Sequence, residues 1–263
     1  MKHVLSYGGG LNSSAAMVYL IEEKKPLDLI LFANTGDEFL HTYESVEFYA
    51  KYATDNGYRF LTVDNLGNYE VNNMREFFMR KQLTPSRLRR DCTTKFKVSP
   101  IRKTIRSHFP KEKIVMYIGI DNGESHRIKD SNVKYITNSY PLIDAKLDRE
   151  GCIQYLKERE LPIPQKSGCY YCPFTTKPNW IKLMKEHPDL YEKAIELETN
   201  NRLYPKSVSL LHSLPLLEFR DKVTSIKNLD YFLFDQNEEK SKRKEKEERD
   251  VVSSCDVSAS CFL

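Results

Sequence analysis

The sequence predicts an α/β protein with a doubly wound, mostly parallel sheet, followed by a C-terminal helical segment that carries cysteines. Short apolar runs alternate with longer amphipathic ones in a β-α-β-α-β order over residues 3–63. The run at residues 29–33 is apolar throughout, as expected of a parallel strand covered by helices on both faces. A glycine-rich turn joins the first strand directly to the first helix.

The elements follow one another in a regular order along the first half of the chain. Strands are predicted at residues 3–7, 27–33, 58–63 and 114–120. Helices are predicted at residues 13–23, 41–56, 100–108, 151–159 and 178–198. From this order we expect a nucleotide-binding α/β domain at 1–145, a helical cysteine-containing segment packed on it at 146–235, and a tail at 236–263. Residues 238–250 are almost wholly charged without an apolar face, which is typical of a solvated helix extension or of disorder.

The composition excludes an integral membrane protein. The chain has 263 residues, of which 30% are charged, and its mean hydropathy is negative. It contains neither an apolar run of eighteen residues nor the apolar core of a signal peptide, so we expect a cytoplasmic protein without a membrane partner. The net charge of +4 is modest, but basic residues cluster at 75–103. This cluster suits a polyanion such as nucleotide phosphate or nucleic acid, and otherwise forms a solvated basic face.

The turn after the first strand has the composition of a phosphate-binding loop. Glycine leaves backbone N–H groups uncovered, and a helix N-terminus directs further N–H groups and a positive dipole end at an anion. The loop has neither the lysine of a Walker A motif nor the spacing of a dinucleotide fingerprint. The predicted cradle residues are Ser6, Gly8, Gly9, Gly10, Asn12, Ser13 and Ser14.

Polar residues also follow two later strands, where ligands of parallel α/β sheets bind. Asp37 and Glu38 are suited to Mg²⁺ through their carboxylate oxygens, or else to capping the next helix. Arg127 is suited to a phosphate, because a guanidinium grips two oxygens at once. The further predicted nucleotide-binding residues are Asn34, Thr35, Asp37, Glu38, Gly119, Glu124 and Arg127.

These three motifs together resemble the PP-loop ATP pyrophosphatases and the PAPS reductase-like proteins. Residues 8–13 match the family's SGGxDS loop, with Gly8 at the usual Ser and Asn12 at the usual Asp. Residues 32–39 resemble the segment that holds adenine and places Thr and Glu beside the sugar and phosphates, and residues 118–127 resemble the second phosphate-contacting loop. The resemblance implies binding of ATP, or alternatively PAPS, with Mg²⁺, and makes Asn12 and Ser13 catalytic candidates.

The internal cysteines form a second candidate site. Cys92 stands among several cations that favour its thiolate, and it is our third catalytic candidate. Cys169 and Cys172 form a C-x-x-C pair flanked by Gly and Pro, a spacing that recurs in zinc and iron–sulfur sites. With Cys92 and Cys152 they supply the four thiols of a [4Fe–4S] cluster or of a Zn²⁺ site. A redox dithiol and unrelated buried thiols are the alternatives.

This cysteine arrangement resembles the family branch that includes the sulfurtransferase of DNA phosphorothioation systems and phage relatives, where four cysteines carry an iron–sulfur cluster. It implies an enzyme that adenylates a substrate, converting ATP into AMP and pyrophosphate, and then transfers sulfur to it from the cluster or a cysteine persulfide. The basic stretch makes nucleic acid the candidate acceptor, and a cysteine desulfurase is a candidate sulfur donor.

Two other functions remain open at the level of sequence. The first is reduction of PAPS or APS by a thiol, although the ECGLH-like motif of PAPS reductases is absent. The second is a non-catalytic module that binds an adenylate or nucleic acid. Cys255 and Cys261 lie in the tail and are interpreted as incidental.

Overall fold

A five-stranded parallel sheet forms the centre of the computed structural model, which describes residues 1–201, 209–211 and 214–225. The strands are β1 (Lys2–Tyr7), β2 (Leu29–Ala33), β3 (Phe60–Val63), β4 (Ile114–Ile118) and β5 (Ile136–Ser139). Their spatial order is β3-β2-β1-β4-β5, and every adjacent pair is parallel. The chain therefore reverses its direction of winding between β1 and β4, the point at which such sheets bind ligands.

The helices follow the strands in the expected alternation. They are α1 (Leu11–Glu22), α2 (Leu40–Asp55), α3 (Met74–Arg80), α4 (Ser99–His108), α5 (Pro141–Asp144), α6 (Arg149–Lys157), α7 (Lys177–Glu186), α8 (Pro188–Thr199) and α9 (Leu216–Ser225). A π-helical turn at Thr93–Val98 leads into α4, and a 3₁₀ segment at Asn122–Arg127 follows β4.

Both faces of the sheet are covered, which confirms the predicted fold class. Consecutive strand residues alternate between two buried clusters: Val4 packs in one cluster with Ile105 of α4, and Leu5 packs in the other with Leu20 of α1. All five residues of β2 are buried. Burial on both faces explains why this strand is apolar at every position.

The structure differs from the prediction in its helices and at the sheet edge, and α3, α5 and α9 were not predicted. The segment predicted as one helix at residues 178–198 forms two, α7 and α8, because Pro188 disfavours helical backbone at the residue before it. Strand β5 has the polar sequence Ile-Thr-Asn-Ser at the sheet edge, and its short mixed pattern gives no strand signal. The predicted tail at 236–263, with Cys255 and Cys261, lies outside the described residues.

The chain divides into two compact units by its internal contacts. The first contains residues 1–74 and 91–169, and includes the sheet. The second contains residues 75–90 and the described residues between 170 and 225, with α7, α8 and α9. Within the second unit Trp180 is fully buried and packs edge-to-face on Tyr191, so it is a core residue. No helix among the described residues is long and apolar enough to cross a membrane.

Candidate functional site

The predicted anion loop connects β1 to α1 in a conformation that requires glycine. Gly9 has φ +72°, and a Cβ at this position would lie 2.8 Å from Cγ2 of Thr42 in α2. Gly10 caps α1 with extended backbone, and the hydroxyl of Ser13 donates to the Gly10 carbonyl at 2.9 Å. The first turn of α1 carries no acidic residue. The first turn of α1 therefore presents backbone N–H donors and carries no carboxylate of its own. This combination favours binding of an anion at the helix N-terminus.

Two other predicted cradle residues make contacts inside the fold. Ser14 is fully buried, and its hydroxyl lies 2.9 Å from the hydroxyl of Tyr7. Burial raises the pKa of Tyr7 to about 12, so this phenol stays protonated at neutral pH. Ser6 lies within β1 and pairs with β2 and β4. These two residues secure the strand and helix that hold the loop.

The loop after β2 is shaped by its own side chains. The side-chain oxygen of Asn34 accepts hydrogen bonds from the hydroxyl of Tyr43 at 3.0 Å and from the backbone of Gly36 at 2.9 Å. Thr35 is fully buried and donates to Oε1 of Glu38 at 3.1 Å. Burial raises the pKa of Tyr43 to about 12. Asp37 is also buried in this loop, at 7% exposure.

Glu38 is a buried carboxylate with one engaged oxygen and one that has no partner in the described part of the chain. Its side chain is 2% exposed, and Oε1 lies 3.0 Å from Nζ of Lys97. Its Oε2 is buried without a hydrogen-bond partner among the described residues. A buried carboxylate is stable only when it is paired, and Lys97 supplies that charge.

A thiol lies beside this carboxylate. Sγ of Cys169 is 3.3 Å from the hydroxyl of Thr35 and 3.6 Å from Oε1 of Glu38. The backbone of residues 38–39 pairs with residues 168–169 through an isolated antiparallel bridge and a hydrogen bond from Phe39 N to Gly168 O of 3.1 Å. The Cys169 side chain is thereby fixed against the loop that follows β2.

The segment of residues 167–169 also lies against the anion loop. A Cβ built on Gly10 would lie 2.7 Å from Oγ of Ser167 and 3.4 Å from its Cβ. Residues 167–169 therefore contact the start of α1 at one end and Glu38 at the other. The thiol of Cys169 and the anion loop thus lie at the same edge of the sheet.

The loop after β4 reaches the anion loop from the other side. Nδ2 of Asn12 donates to Oδ2 of Asp121 at 2.8 Å and to Oε2 of Glu124 at 3.2 Å. Nη1 of Arg127 donates to Oε1 of Glu124 at 2.6 Å. These side chains form a continuous polar network, which joins the predicted phosphate-binding arginine to the first turn of α1.

Gly119 allows this approach. A Cβ at Gly119 would lie 2.8 Å from both the Cα and the backbone nitrogen of Ser13. Any larger residue would push β4 away from α1, since backbone atoms cannot rotate aside as a side chain can. Gly119 was predicted as a nucleotide contact, and in the structure its visible role is close backbone packing.

The four cysteines have different surroundings. Cys152 in α6 is fully buried in the apolar cluster that contains Leu142 and Leu156, and burial raises the pKa of its thiol to about 12. Cys92 is half-buried just before the π-helical turn, and Cys172 belongs to the second compact unit. In the described residues, Cys152 is a packing side chain of this apolar cluster.

The predicted metal ligands are not gathered into one site within the described parts of the chain. No group of three or more His, Cys, Asp or Glu side chains in these parts of the chain is arranged to hold an ion. The predicted cluster or zinc ligand Cys152 is enclosed by apolar side chains, and Glu38, a predicted Mg²⁺ ligand, is paired with Lys97. The four-cysteine site and the Mg²⁺ site stay predictions that these contacts do not support.

Several cations of the basic stretch have partners within their own unit. Nη2 of Arg75 lies 2.5 Å from Glu196, and Nζ of Lys95 lies 3.5 Å from Asp91. Nε of Arg87 donates to the carbonyl of Pro173 at 2.7 Å, although the residue is exposed overall. Part of the basic cluster therefore serves the fold, which sequence composition cannot distinguish from an anion-binding face.

Three contributors to the site were missed at the level of sequence. Lys97 was counted only as part of the basic stretch, although it pairs with Glu38. Ser167 was quoted only as a neighbour of the C-x-x-C pair, and Asp121 only as part of a polar turn. Asp121 carried a usable signal, because an Asp three residues before Glu124 is a helix N-cap, and its Oδ1 does accept from Glu124 N.

The geometry defines an α/β protein with a glycine-rich loop at the topological switch point of its sheet and a thiol beside the loop that follows β2. The family model for the phosphoadenosine phosphosulfate reductase domain matches residues 2–165. The match covers more than half of the chain, and the protein belongs to this family.

The other comparisons add little to this assignment. A search of curated proteins gives no match. Among solved structures, the chain is similar to the crystal structure of phosphoadenylyl-sulfate (PAPS) reductase from Candida auris in its phosphate complex. Sequence identity is 15% and the TM-score is 0.48, with 65% of this chain and 82% of that chain covered.

Proposed function

We propose that the protein is an adenine-nucleotide-dependent enzyme that adenylates a substrate with ATP and then transfers sulfur to it. One observation carries the proposal: residues 167–169 contact both Gly10 of the anion loop and Glu38, so the Cys169 thiol shares the nucleotide edge of the sheet. A packing cysteine has no need of such neighbours. Membership of the PAPS reductase domain family supports an adenine nucleotide as the ligand.

The first step is adenylyl transfer. An oxygen of the acceptor attacks the α-phosphorus of ATP, the bond to the β-phosphate oxygen breaks, and pyrophosphate leaves with that electron pair. Residues 8–10 and the N-terminus of α1 bind the departing pyrophosphate through backbone N–H groups. Arg127 is our candidate for an additional ionic contact with the phosphates. Its guanidinium is positioned by the ion pair with Glu124. ATP enters as its magnesium complex, which is a substrate and needs no metal ligand from the protein.

The second step is sulfur transfer. A persulfide on Cys169, loaded by a sulfur donor such as a cysteine desulfurase, attacks the activated atom and AMP leaves with the bonding pair. A second thiol then attacks Sγ of Cys169 and cleaves its bond to the transferred sulfur. The product departs as a thio-compound, and an external dithiol reduces the remaining disulfide. Cys172 and Cys92 are the candidates for the second thiol.

Nucleic acid is our proposed acceptor. The basic stretch supports it, since Arg89 is exposed and cations bind the phosphate backbone irrespective of sequence. We propose the cytosol as the compartment, because both ATP and reduced thiols are available there.

Reduction of PAPS or APS is the second candidate, and the family assignment supports it no better than the first. In this reaction the Cys169 thiolate attacks the sulfonate sulfur and displaces the adenosine phosphate. A second thiol then attacks Sγ of Cys169 and releases sulfite, leaving a disulfide that an external dithiol reduces. The two functions use the same loop and the same thiol but release different products.

Product analysis separates these functions. Purified protein is incubated either with Mg²⁺–ATP, single-stranded DNA or RNA, a cysteine desulfurase, cysteine and dithiothreitol, or with PAPS or APS and thioredoxin. We expect pyrophosphate, AMP and thio-modified nucleic acid from the first mixture. Sulfite from the second mixture alone would replace our proposal with sulfonucleotide reduction. Nucleotide binding without any product in either mixture would favour the non-catalytic module.

A further inference from the structure

The side-chain amide of Asn12 contacts two carboxylates of the loop after β4, those of Asp121 and Glu124. Nδ2 of Asn12 lies 2.8 Å from Asp121 and 3.2 Å from Glu124, and Asp121 is 3% exposed. Two carboxylates that share a partner repel each other, and a positive charge between them or protonation of one relieves this repulsion. Here the partner is a neutral amide, with Arg127 attached to the far oxygen of Glu124.

The chemistry fixes the orientation of this amide. If the side chain were turned over, Oδ1 of Asn12 would face two carboxylate oxygens, and acceptors would oppose acceptors. With Nδ2 toward the carboxylates, Oδ1 is buried and has no hydrogen-bond partner among the described residues. If position 12 were Asp, one of its carboxylate oxygens would face the carboxylates of Asp121 and Glu124. Its second oxygen would have no hydrogen-bond donor among the described residues.

The backbone does not allow the first turn of α1 to move away from the carboxylates of Asp121 and Glu124. Gly119 at the end of β4 lies so close to α1 that even a Cβ would meet backbone atoms of Ser13 at 2.8 Å. Within the sheet, the register of β1 with β4 pairs Ser6 with Ile118. This pairing also keeps the first turn of α1 close to the loop after β4. The first turn of α1 and the loop after β4 therefore have to meet, whatever the charge of the side chain between them.

We infer that Asn12 is a positioning residue that takes the place of a cation, so that the anion loop and the loop after β4 assemble without a divalent ion. The charges of Asp121, Glu124 and Arg127 sum to −1, and Asn12 leaves this sum unchanged. A carboxylate at position 12 would make this sum more negative, at −2, and create a site that requires a cation. The inference concerns the empty site and holds for whichever nucleotide it binds.

Thermal unfolding of the full chain tests this inference without nucleotide. Wild type, Asn12→Asp, Asn12→Ala and the exchanged variant Asn12→Asp/Asp121→Asn are compared in EDTA and in millimolar Mg²⁺ at matched ionic strength. We expect the wild-type Tm to be the same in both buffers. Asn12→Asp should lose about 5 °C in EDTA and regain it with Mg²⁺, whereas Asn12→Ala should lose stability that Mg²⁺ does not restore.

The exchanged variant is the matched control. It keeps one amide and two carboxylates but swaps two of their positions, and we expect its Tm to be insensitive to Mg²⁺. If Asn12→Asp fails to fold in EDTA, folding on addition of Mg²⁺ counts as the expected result. Failure to fold with Mg²⁺ as well would contradict the inference.

A merely structural role for Asn12 gives a different pattern. In that case Asn12→Asp and Asn12→Ala would lose stability equally, and neither would respond to Mg²⁺. The inference would also be wrong if Mg²⁺ raised the Tm of the wild type but not that of Asp121→Asn. A cation would then belong to the native site.

Discussion

Two buried cysteines of the α/β unit, Cys152 and Cys169, have nearly the same exposure and quite different neighbours. Cys152 is enclosed by apolar side chains of a hydrophobic cluster, at 0% exposure. Cys169 is 6% exposed and contacts the hydroxyl of Thr35 and the carboxylate of Glu38. Burial alone therefore does not define the role of a thiol. Cys169 contacts polar side chains of the loop after β2, whereas Cys152 is part of the apolar core.

The largest expected effect separates the two thiols by activity. Replacing Cys169 with Ala removes the sulfur-bearing atom, and we expect turnover to fall by roughly 10³-fold or more in either assay described above. Cys152→Ala is the matched control, with loss of stability but turnover within a few-fold of wild type. Steady-state rates at saturating nucleotide measure the difference. Equal losses in the two variants would contradict the distinction.

The polar surroundings of Cys169 depend on the pair formed by Glu38 and Lys97. Lys97→Met leaves a buried carboxylate without its cation, and we expect about 2 kcal/mol of lost stability, reduced from the full buried value because Lys97 is partly exposed. Glu38→Gln in the same chain removes the charge and should recover most of this loss. Urea unfolding of both single variants and the double variant measures the coupling. Additive effects would show that the pair contributes nothing.

Serine substitutions compare the two environments directly. At position 152 the new hydroxyl would have no partner inside the apolar cluster, so we expect Cys152→Ser to cost about 2 kcal/mol. At position 169 the hydroxyl would find Thr35 and Glu38, and we expect the cost to be below about 1 kcal/mol. The free energy of unfolding in urea measures both. The reverse order would mean that the contacts of Cys169 are wrongly assigned.

The smallest expected effect concerns the reactivity of Cys152. Burial raises its pKa to about 12, so about one thiol in ten thousand is ionised at pH 8. We expect no alkylation of Cys152 by iodoacetamide in the native protein at pH 8, and full alkylation in urea, measured by mass spectrometry. The raised pKa stabilises the fold below about pH 9, and this contribution is lost as the pH rises toward about 12. Rapid native labelling would contradict the burial.

The fold and the anion loop were predictable from sequence because they depend on local patterns. A glycine-rich turn between an apolar strand and a helix has few alternatives, and Gly9 indeed has a positive φ. The apolar strand β2 likewise indicated two covered faces. These signals lie within short windows of the chain, and the structure agrees with them.

The environment of the cysteines was not predictable in the same way. The positions of Cys152 and Cys169 suggested a common site, but their surroundings are determined by α6 in one case and by pairing with residues 38–39 in the other. The contact of Asn12 with Asp121 joins residues more than a hundred positions apart. Such contacts follow from the order of strands in the sheet, and a single sequence contains no local signal for them.

The most direct test of our central claim, that the thiol-bearing segment closes on the anion loop, is a disulfide between positions 10 and 167. A Cβ at Gly10 would lie 3.4 Å from that of Ser167, close to the usual separation in disulfides. We expect Gly10→Cys/Ser167→Cys to form this bond on mild oxidation, to lose nucleotide binding, and to recover it with dithiothreitol. Gly67→Cys/Ser167→Cys is the control, since no atom outside its own chain neighbours lies within 4 Å of a Cβ at Gly67. Absence of the 10–167 linked peptide by mass spectrometry, or unchanged nucleotide binding once it has formed, would contradict the claim.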